Sequence, residues 1–442
     1  MAYNYLLEKF ILPASDFLLS SPMMAELRNW RRIQWYSEKE LADTQKKNLN
    51  KLLRFASEKI PFYRNIKIDE NVNADEAIKN FPIIKKNVIK ADINSFLSDD
   101  PSRFIKSSSS GSSGVQGEVY IDKYAQSVQR AIQMLWWEWA GYRFGDKILQ
   151  TGMSTNRGLV KSVKDFLLRT KYVPAFELDN SRLLDLLKTV NKKKYKFILG
   201  YASSLFVIAK VAKENELNDI KFDGAVSWGD KLFPHYRTLI ENQFQTKAHD
   251  TYACTEGIMI AAQCEKMNYH IMSPQVYLEI VDENGNEVMD GELGYVIVTR
   301  LDNYAMPLIR YYLGDLAIKA PSAEKCSCGR NLPLLQKIIG RDTDIVKTRS
   351  GNFMIVHFFT YIFEFIPEVR QFRVIQRNLD GIEIEFIPDK GFTYEVNERI
   401  KAKILEHLDE PFTIDFVEVE HIHPTASGKP QIIQSFLKQS LN

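Results

Sequence analysis

Along the first third of the chain the apolar positions keep a helical rhythm. Leu41, Leu49, Leu52, Leu53 and Ala56 recur at helix spacing until Pro61 ends the pattern, which predicts a helix and its exit over residues 38–64. A second helix is predicted from Tyr124 to about Gly141, carrying Met134, Trp136 and Trp137. From about residue 145 to 300, short apolar runs at 196–199, 224–226 and 275–281 alternate with charged helical stretches, which predicts an α/β body. The stretch 281–300 reads as a hairpin, with Glu283-Asn284-Gly285-Asn286 between two apolar strands. The rhythm changes near residue 340, at the polar, glycine-led Gly340-Arg341-Asp342-Thr343-Asp344. Strand-like runs follow at 369–376, 382–387 and 413–418, with a helix at about 394–408. The expected fold class is therefore α/β and α+β multidomain. A large body of sheets flanked by helices covers 1–340, and a small α+β unit at 341–442 is joined to it by a hinge.

Composition narrows the function classes. The hydrophobic fraction is 45% and the charged fraction 26%, ordinary for a globular chain. Lys and Arg number 58 against 56 Asp and Glu, so there is no bulk charge to drive binding to nucleic acid or to an anionic membrane. No apolar run approaches the roughly 18 residues that span a bilayer. The first 28 residues carry Glu8, Asp16 and Glu26 and do not read as a signal peptide. Four cysteines are too few for a disulfide framework, which points to the cytoplasm. Lys192-Lys193-Lys194 reads as a solvated helix end.

Two clusters carry candidate chemistry. In Lys106-Ser107-Ser108-Ser109-Ser110-Gly111-Ser112-Ser113-Gly114, glycines let backbone N–H groups converge and serines add donors, so the run can wrap a polyphosphate. It lacks the Gly-Lys-Ser/Thr of a Walker loop, and a serine-rich linker is the alternative reading. Cys264 and His270 lie six positions apart, and Cys326-Ser327-Cys328 follows 56 positions after His270. Three thiolates and an imidazole make a closed structural zinc set, against the alternative of free thiols and an unrelated histidine.

The serine-glycine run resembles the phosphate loop of adenylate-forming enzymes, in particular the phenylacetate–CoA ligase family and its relatives in capsule-biosynthesis loci. Other segments agree in order: Ile60-Pro61-Phe62-Tyr63-Arg64, Phe81-Pro82-Ile83-Ile84-Lys85, Gly200-Tyr201-Ala202-Ser203-Ser204 and Asp250-Thr251-Tyr252-Ala253-Cys254-Thr255-Glu256. Pro307-Leu308-Ile309-Arg310-Tyr311 with Gly314-Asp315, Gly340-Arg341-Asp342, and Ser427-Gly428-Lys429-Pro430 complete the set. The resemblance implies that a carboxylic acid is joined to the α-phosphate of ATP, and that the acyl group then passes to coenzyme A. Lys429, on a mobile C-terminal domain, would bridge carboxylate and phosphate. Glu256 would hold Mg²⁺, and Thr255 would meet the α-phosphate. Tyr252 would face adenine, Asp315 and Arg341 the ribose or phosphates, and Trp228, Gly229 and Asp230 the nucleotide-side wall. Cys254, inside the motif, stays outside the zinc set.

Departures from the family pattern are Val115-Gln116-Gly117 after the phosphate loop, Ala253, Asp230, and Thr343 in place of the first hinge acid. Two further readings stay open: an amine acceptor such as a sugar, and a non-catalytic nucleotide-binding scaffold. The implied partners are a small carboxylic acid with coenzyme A or an amine, with no nucleic acid and no membrane insertion; a homodimer is an assembly the chain permits.

Overall fold

The structure, a computed structural model, describes residues 2–69, 72–108, 118–152, 158–175, 180–351, 353–423 and 431–437. The first predicted helix is Glu38–Lys59, opened by a capping box between Ser37 and Glu40 and left through a 3-10 turn at Pro61–Tyr63. The second is Lys123–Trp139, where the Asp122 carboxylate accepts the Ala125 N–H at 2.7 Å. Ahead of both, Ala2–Leu6 and Leu12–Leu19 are joined by a π-helical turn at Leu7–Ile11, and Met23–Ile33 follows. Pro13 lies just past that turn; a proline ring crowds the carbonyl four residues back, and a widened turn relieves the clash.

A small hairpin pairs β1 (Ile105–Ser108) with β2 (Glu118–Ile121). The next strands are β3 (Ile148–Gly152), β4 (Thr170–Pro174), β5 (Phe197–Tyr201), β6 (Gly224–Trp228), β7 (Ala248–Ala253) and β8 (Met259–Gln263). Then come β9 (Tyr269–Ile271), β10 (Val276–Val281), β11 (Leu293–Arg300), β12 (Tyr311–Lys319) and β13 (Leu334–Arg341). These eleven form one sheet in the order β10-β11-β12-β13-β9-β8-β7-β6-β5-β3-β4. From β4 to β7 neighbours run parallel. Helices Gly158–Leu167, Asn180–Lys193, Ala202–Glu214 and Pro234–Phe244 lie between these strands in sequence. The inner strands β5 and β6 are buried at every position but the last, which is why they read as apolar runs. From β7 to β10 every pair is antiparallel.

β7 and β12 stand four places apart in this order. In a flat sheet about 19 Å would separate them. Yet Tyr252 Oη on β7 donates to Asp315 Oδ2 on β12 at 2.8 Å. The antiparallel half therefore curls over on itself. Register shifts in the β11–β12 and β12–β13 pairs and a two-residue contact between β13 and β9 let it bend. Leu49, Leu52, Leu53 and Ala56 of the Glu38–Lys59 helix pack there with Val276, Ile280, Val296 and Val298.

Past β13, β14 (Ile345–Lys347) pairs with β15 (Phe353–Ile355). Strands β16 (Val369–Asn378), β17 (Gly381–Pro388), β18 (Thr413–Glu418) and β19 (Ile433–Ser435) form a second sheet in the order β18-β17-β16-β19. Helices Val356–Glu364 and Tyr394–Leu405 supply Phe359, Ile400 and Ile404 to its core. Phe233 of the body packs against that same core. No helix among the described residues is long and apolar enough to cross a membrane.

Candidate active site and metal centre

The loop that follows β7 is held from below. Arg300 is 1% exposed, and its guanidinium donates to the Gly257 carbonyl at 2.7 Å, to the Ala125 carbonyl at 2.6 Å and to Asp302 at 2.7 and 3.2 Å. Gly257 has φ +80°, and a Cβ there would lie 2.9 Å from Arg300 Nη1, so the turn needs glycine twice over. Asp250 at the head of the motif is spent on structure. Its carboxylate accepts from Ser227 Oγ and Tyr269 Oη, both at 2.5 Å, and burial pushes its acidity weaker than usual.

Above this turn the predicted residues converge. Asp315 accepts from Tyr252 Oη on one oxygen and faces Arg341 Nε at 3.1 Å on the other. Arg341 is its cross-strand partner on β13 and also donates to the Leu313 carbonyl at 2.8 Å. The Asp315 carboxylate raises the Arg341 pKa further, so the guanidinium stays charged. Tyr311 Oη, on the strand that carries Asp315, donates to Glu256 Oε1 at 2.9 Å. Thr255 Oγ1 donates to the other Glu256 oxygen at 3.1 Å, and Ser107 Oγ reaches the Thr255 carbonyl at 3.2 Å. Two carboxylates, one guanidinium and two phenols thus come together from three chain segments: β7 with its following loop, β12 and β13.

The wall residues divide. Trp228 is half-buried and lies flat against Trp137, with ring centroids 6.2 Å apart and planes at 14°. Gly229 has φ +78°, and a Cβ would strike the Tyr201 ring at 2.4 Å. Asp230 accepts the Ala202 and Ser203 N–H groups at 2.6 and 3.1 Å, so it neutralises the open start of helix Ala202–Glu214. Ser109, Ser110, Gly111, Ser112, Ser113, Gly114 and Lys429 lie outside the described residues.

Two lysines had no signal in the sequence. Lys86 opens helix Lys86–Ala91, reached from Ile84, which bridges Tyr311. Burial lowers its pKa, and the charges of Glu256 and Arg341 both act on it, so it belongs to the same electrostatic field. Lys231 donates to the Ile339 carbonyl at 2.5 Å, and burial brings its pKa down to about 8. It thereby links the segment after Trp228 to the end of β13. Only contacts made by tertiary folding single these two out from the other lysines.

Cys264, His270, Cys326 and Cys328 also come together, their ligand atoms all within 4.8 Å of one another. A tetrahedral zinc with bonds of about 2.3 Å to sulfur and about 2.0 Å to nitrogen spaces its ligands roughly 3.5–3.8 Å apart. The Cys264–Cys326 sulfurs are 3.6 Å apart, and Cys328 Sγ lies 3.3 Å from His270 Nε2. His270 Nδ1 faces the Leu332 carbonyl at 3.2 Å, which fixes the ring and leaves Nε2 to bind metal. Burial lowers its pKa to about 4, so the imidazole is neutral. Backbone N–H groups of Lys266 and Arg330 and the Asn268 amide point at the three sulfurs. The set fits zinc.

With this geometry in place, similarity to known proteins is informative. Residues 346–435 match the model of the CapK C-terminal domain. Phenylacetate-coenzyme A ligase of Thermus thermophilus is 23% identical over 84% of this chain and 86% of its own length. Protein CapK of Staphylococcus aureus is 21% identical over 90% of each. The structure of 2-hydroxyisobutyryl-CoA ligase in its postadenylation state aligns with a TM-score of 0.69 at 19% identity, covering 91% of both chains. The chain has the adenylate-forming ligase fold and is related to the phenylacetate–CoA ligases and CapK. An amide bond synthetase of Marinactinospora thermotolerans shares the fold over 75% of this chain and 68% of its own, with a TM-score of 0.50 at 17% identity. The ligase relatives span nearly their full length here, so the fold likeness includes both the curled body and the C-terminal unit.

Asp344, just past β13, makes a pH test. Burial raises its pKa to about 6, while Arg341 and the Gln431 side chain pull the other way. The folded chain therefore keeps a proton that the unfolded chain releases between about pH 4 and 6. Stability falls as pH rises through that window, and the loss is complete above it. Asp344→Asn removes the titration. Relative to the variant, wild type should lose on the order of 1 kcal/mol between pH 4 and 7 in urea unfolding. An unchanged difference across that range would contradict the raised pKa of Asp344.

Proposed function

We propose that the chain is an ATP-dependent ligase. It joins a carboxylic acid to the α-phosphate of ATP, releases pyrophosphate, and passes the acyl group to coenzyme A. The observation that carries this reading is the convergence of Tyr252, Asp315 and Arg341 with Glu256 across strands four places apart. Asp315 offers a carboxylate to the two ribose hydroxyls, and Tyr252 fixes its orientation. Arg341 supplies a permanent cation beside the phosphates. Glu256, held by Tyr311 and Thr255, offers the hard oxygen that Mg²⁺ selects. Lys429, on the C-terminal unit from 341 onward, adds a mobile cation that stabilises the charge growing between carboxylate and α-phosphate. Rotation of that unit about the hinge would withdraw Lys429 and open the site to the acceptor.

A second reading concerns only the acceptor. The acceptor would then be an amine, such as a sugar, and an amide bond synthetase with the same fold supports that reading. Both readings share the first half-reaction, which a scaffold would lack.

Carboxylate-dependent exchange of labelled pyrophosphate into ATP tests that half-reaction. Wild type should catalyse exchange with at least one member of a broad acid panel. Lys429→Ala should lower it about 10²–10³-fold, the usual cost of one transition-state charge contact, while ATP still binds. ATP binding without exchange for any acid would favour the scaffold, and wild-type exchange by Lys429→Ala would remove its assigned role.

Zinc is the structural partner in this account. Cys264, His270, Cys326 and Cys328 leave no open position on it, so it would pin the 326–328 loop to the strands that follow Glu256 and take no part in the chemistry. Elemental analysis of untagged protein should give about one zinc per chain, and Cys326→Ser should lower both zinc content and Tm. Fewer than about 0.2 zinc per chain with all four residues intact would overturn the assignment.

A further inference from the structure

One face of the molecule is unusually apolar. Among the described residues nineteen large hydrophobic side chains are exposed, and eight of them sit in two short segments. Tyr5, Leu6, Phe10, Phe17, Leu18 and Leu19 lie on the opening helices, and Val163 and Phe166 on helix Gly158–Leu167. Phe17, Leu18 and Phe166 are 86%, 80% and 80% exposed, close to the limit for an unburied side chain. The two segments are neighbours. Tyr3 Oη donates to the Leu167 carbonyl at 2.6 Å, and the Arg169 guanidinium stacks 4.0 Å from the Tyr3 ring. A helix running from residue 2 to 19 extends about 25 Å, so the apolar strip is long as well as dense. Soluble chains seldom leave such a concentration bare.

The charge around the strip has one sign. Lys9, Lys161, Lys164, Arg169 and Lys171 are exposed, and Arg28 and Arg32 are exposed on the adjoining helix Met23–Ile33. No acidic residue of residues 2–20 or 158–171 is exposed. Glu8 pairs with Arg31 at 2.7 Å, Asp16 accepts the Met24 N–H at 2.5 Å, and Asp165 is half-buried. The chain as a whole is nearly neutral, at +2, so this is a local asymmetry.

We infer that this face docks the protein on an anionic lipid surface, with Phe17, Leu18 and Leu19 entering the headgroup region and the surrounding lysines and arginines meeting lipid phosphates. Aromatic and leucine side chains ringed by cations are what an interfacial helix presents to a bilayer. A second copy of the chain suits the face less well. A two-fold contact sets each patch against itself, and here it would bring cations together with no exposed acid between them. Docking at the interface needs no membrane-spanning helix.

Co-flotation of the full chain with vesicles decides the matter. Vesicles of phosphatidylcholine with about 30% phosphatidylglycerol should carry the protein, pure phosphatidylcholine vesicles much less, and added salt should release it. Phe17→Ser with Leu18→Ser should abolish flotation. Lys161→Glu with Lys164→Glu should weaken it roughly 25-fold or more, at about 5-fold per lysine removed. These positions are exposed, so each variant should keep the wild-type Tm, which a melting curve confirms. Absence of flotation with the anionic vesicles would overturn the inference. So would a concentration-dependent dimer that Phe17→Ser with Leu18→Ser dissociates, because the occupant would then be a second copy.

Discussion

The hydrogen bond between Tyr252 and Asp315 spans a distance that a flat sheet could not close. Its two strands are four places apart, so the bond exists only because the antiparallel half of the sheet curls over. Everything at the site depends on that curl. It brings Tyr311 onto Glu256 and leaves Asp315 between the end of β7 and the end of β13. The apolar face of the Glu38–Lys59 helix packs within the curl, and Arg300 fastens the loop at its rim. Burying a guanidinium is costly unless its donors are met, and Arg300 meets two carbonyls and a carboxylate. Removing any one of them would strand a charge directly beneath Glu256.

The junction between β13 and the C-terminal sheet is also built on matched polar groups. β13 ends at Arg341, which Asp315 holds, and two residues earlier its backbone carbonyl takes the ammonium of Lys231. Asp344 follows, where desolvation outweighs the pull of Arg341 on its carboxyl. The body thus grips the end of β13 by one carboxylate, Asp315 on Arg341, and one cation, Lys231 on the Ile339 carbonyl, while Phe233 packs against the core of the C-terminal unit. A rotation about this point would exchange those contacts as a set.

Regular patterns were legible in the sequence, and compensations were not. Leu41 to Ala56, the 281–300 hairpin and the run 413–418 announced their elements because one face of each is buried at a fixed period. The Cys264, His270, Cys326 and Cys328 set was legible from residue types alone, since few other groups gather three thiols and an imidazole. Helix Val356–Glu364 was not read, because its Phe, Tyr, Val and Ile residues favour strands locally and only packing makes them helical. Trp136 and Trp137, placed on the second predicted helix, are both buried, Trp136 against Met272 and Trp137 against Trp228. Asp230 gave no sign in the sequence of its second task, which is to accept the Ala202 and Ser203 N–H groups at a helix start. Lys86 and Lys231 carried no local pattern, and their positions follow from the curl and the hinge.

The central claim is that the curl exists to hold a nucleotide against Asp315. A crystal structure of the full chain with a non-hydrolysable acyl-adenylate analogue tests it most directly. The account predicts the ribose hydroxyls within hydrogen-bond distance of the Asp315 carboxylate, the adenine beside Tyr252, and the phosphate between Glu256 and Arg341. An analogue bound elsewhere, with the Tyr252–Asp315–Arg341 contacts untouched by it, would contradict the account.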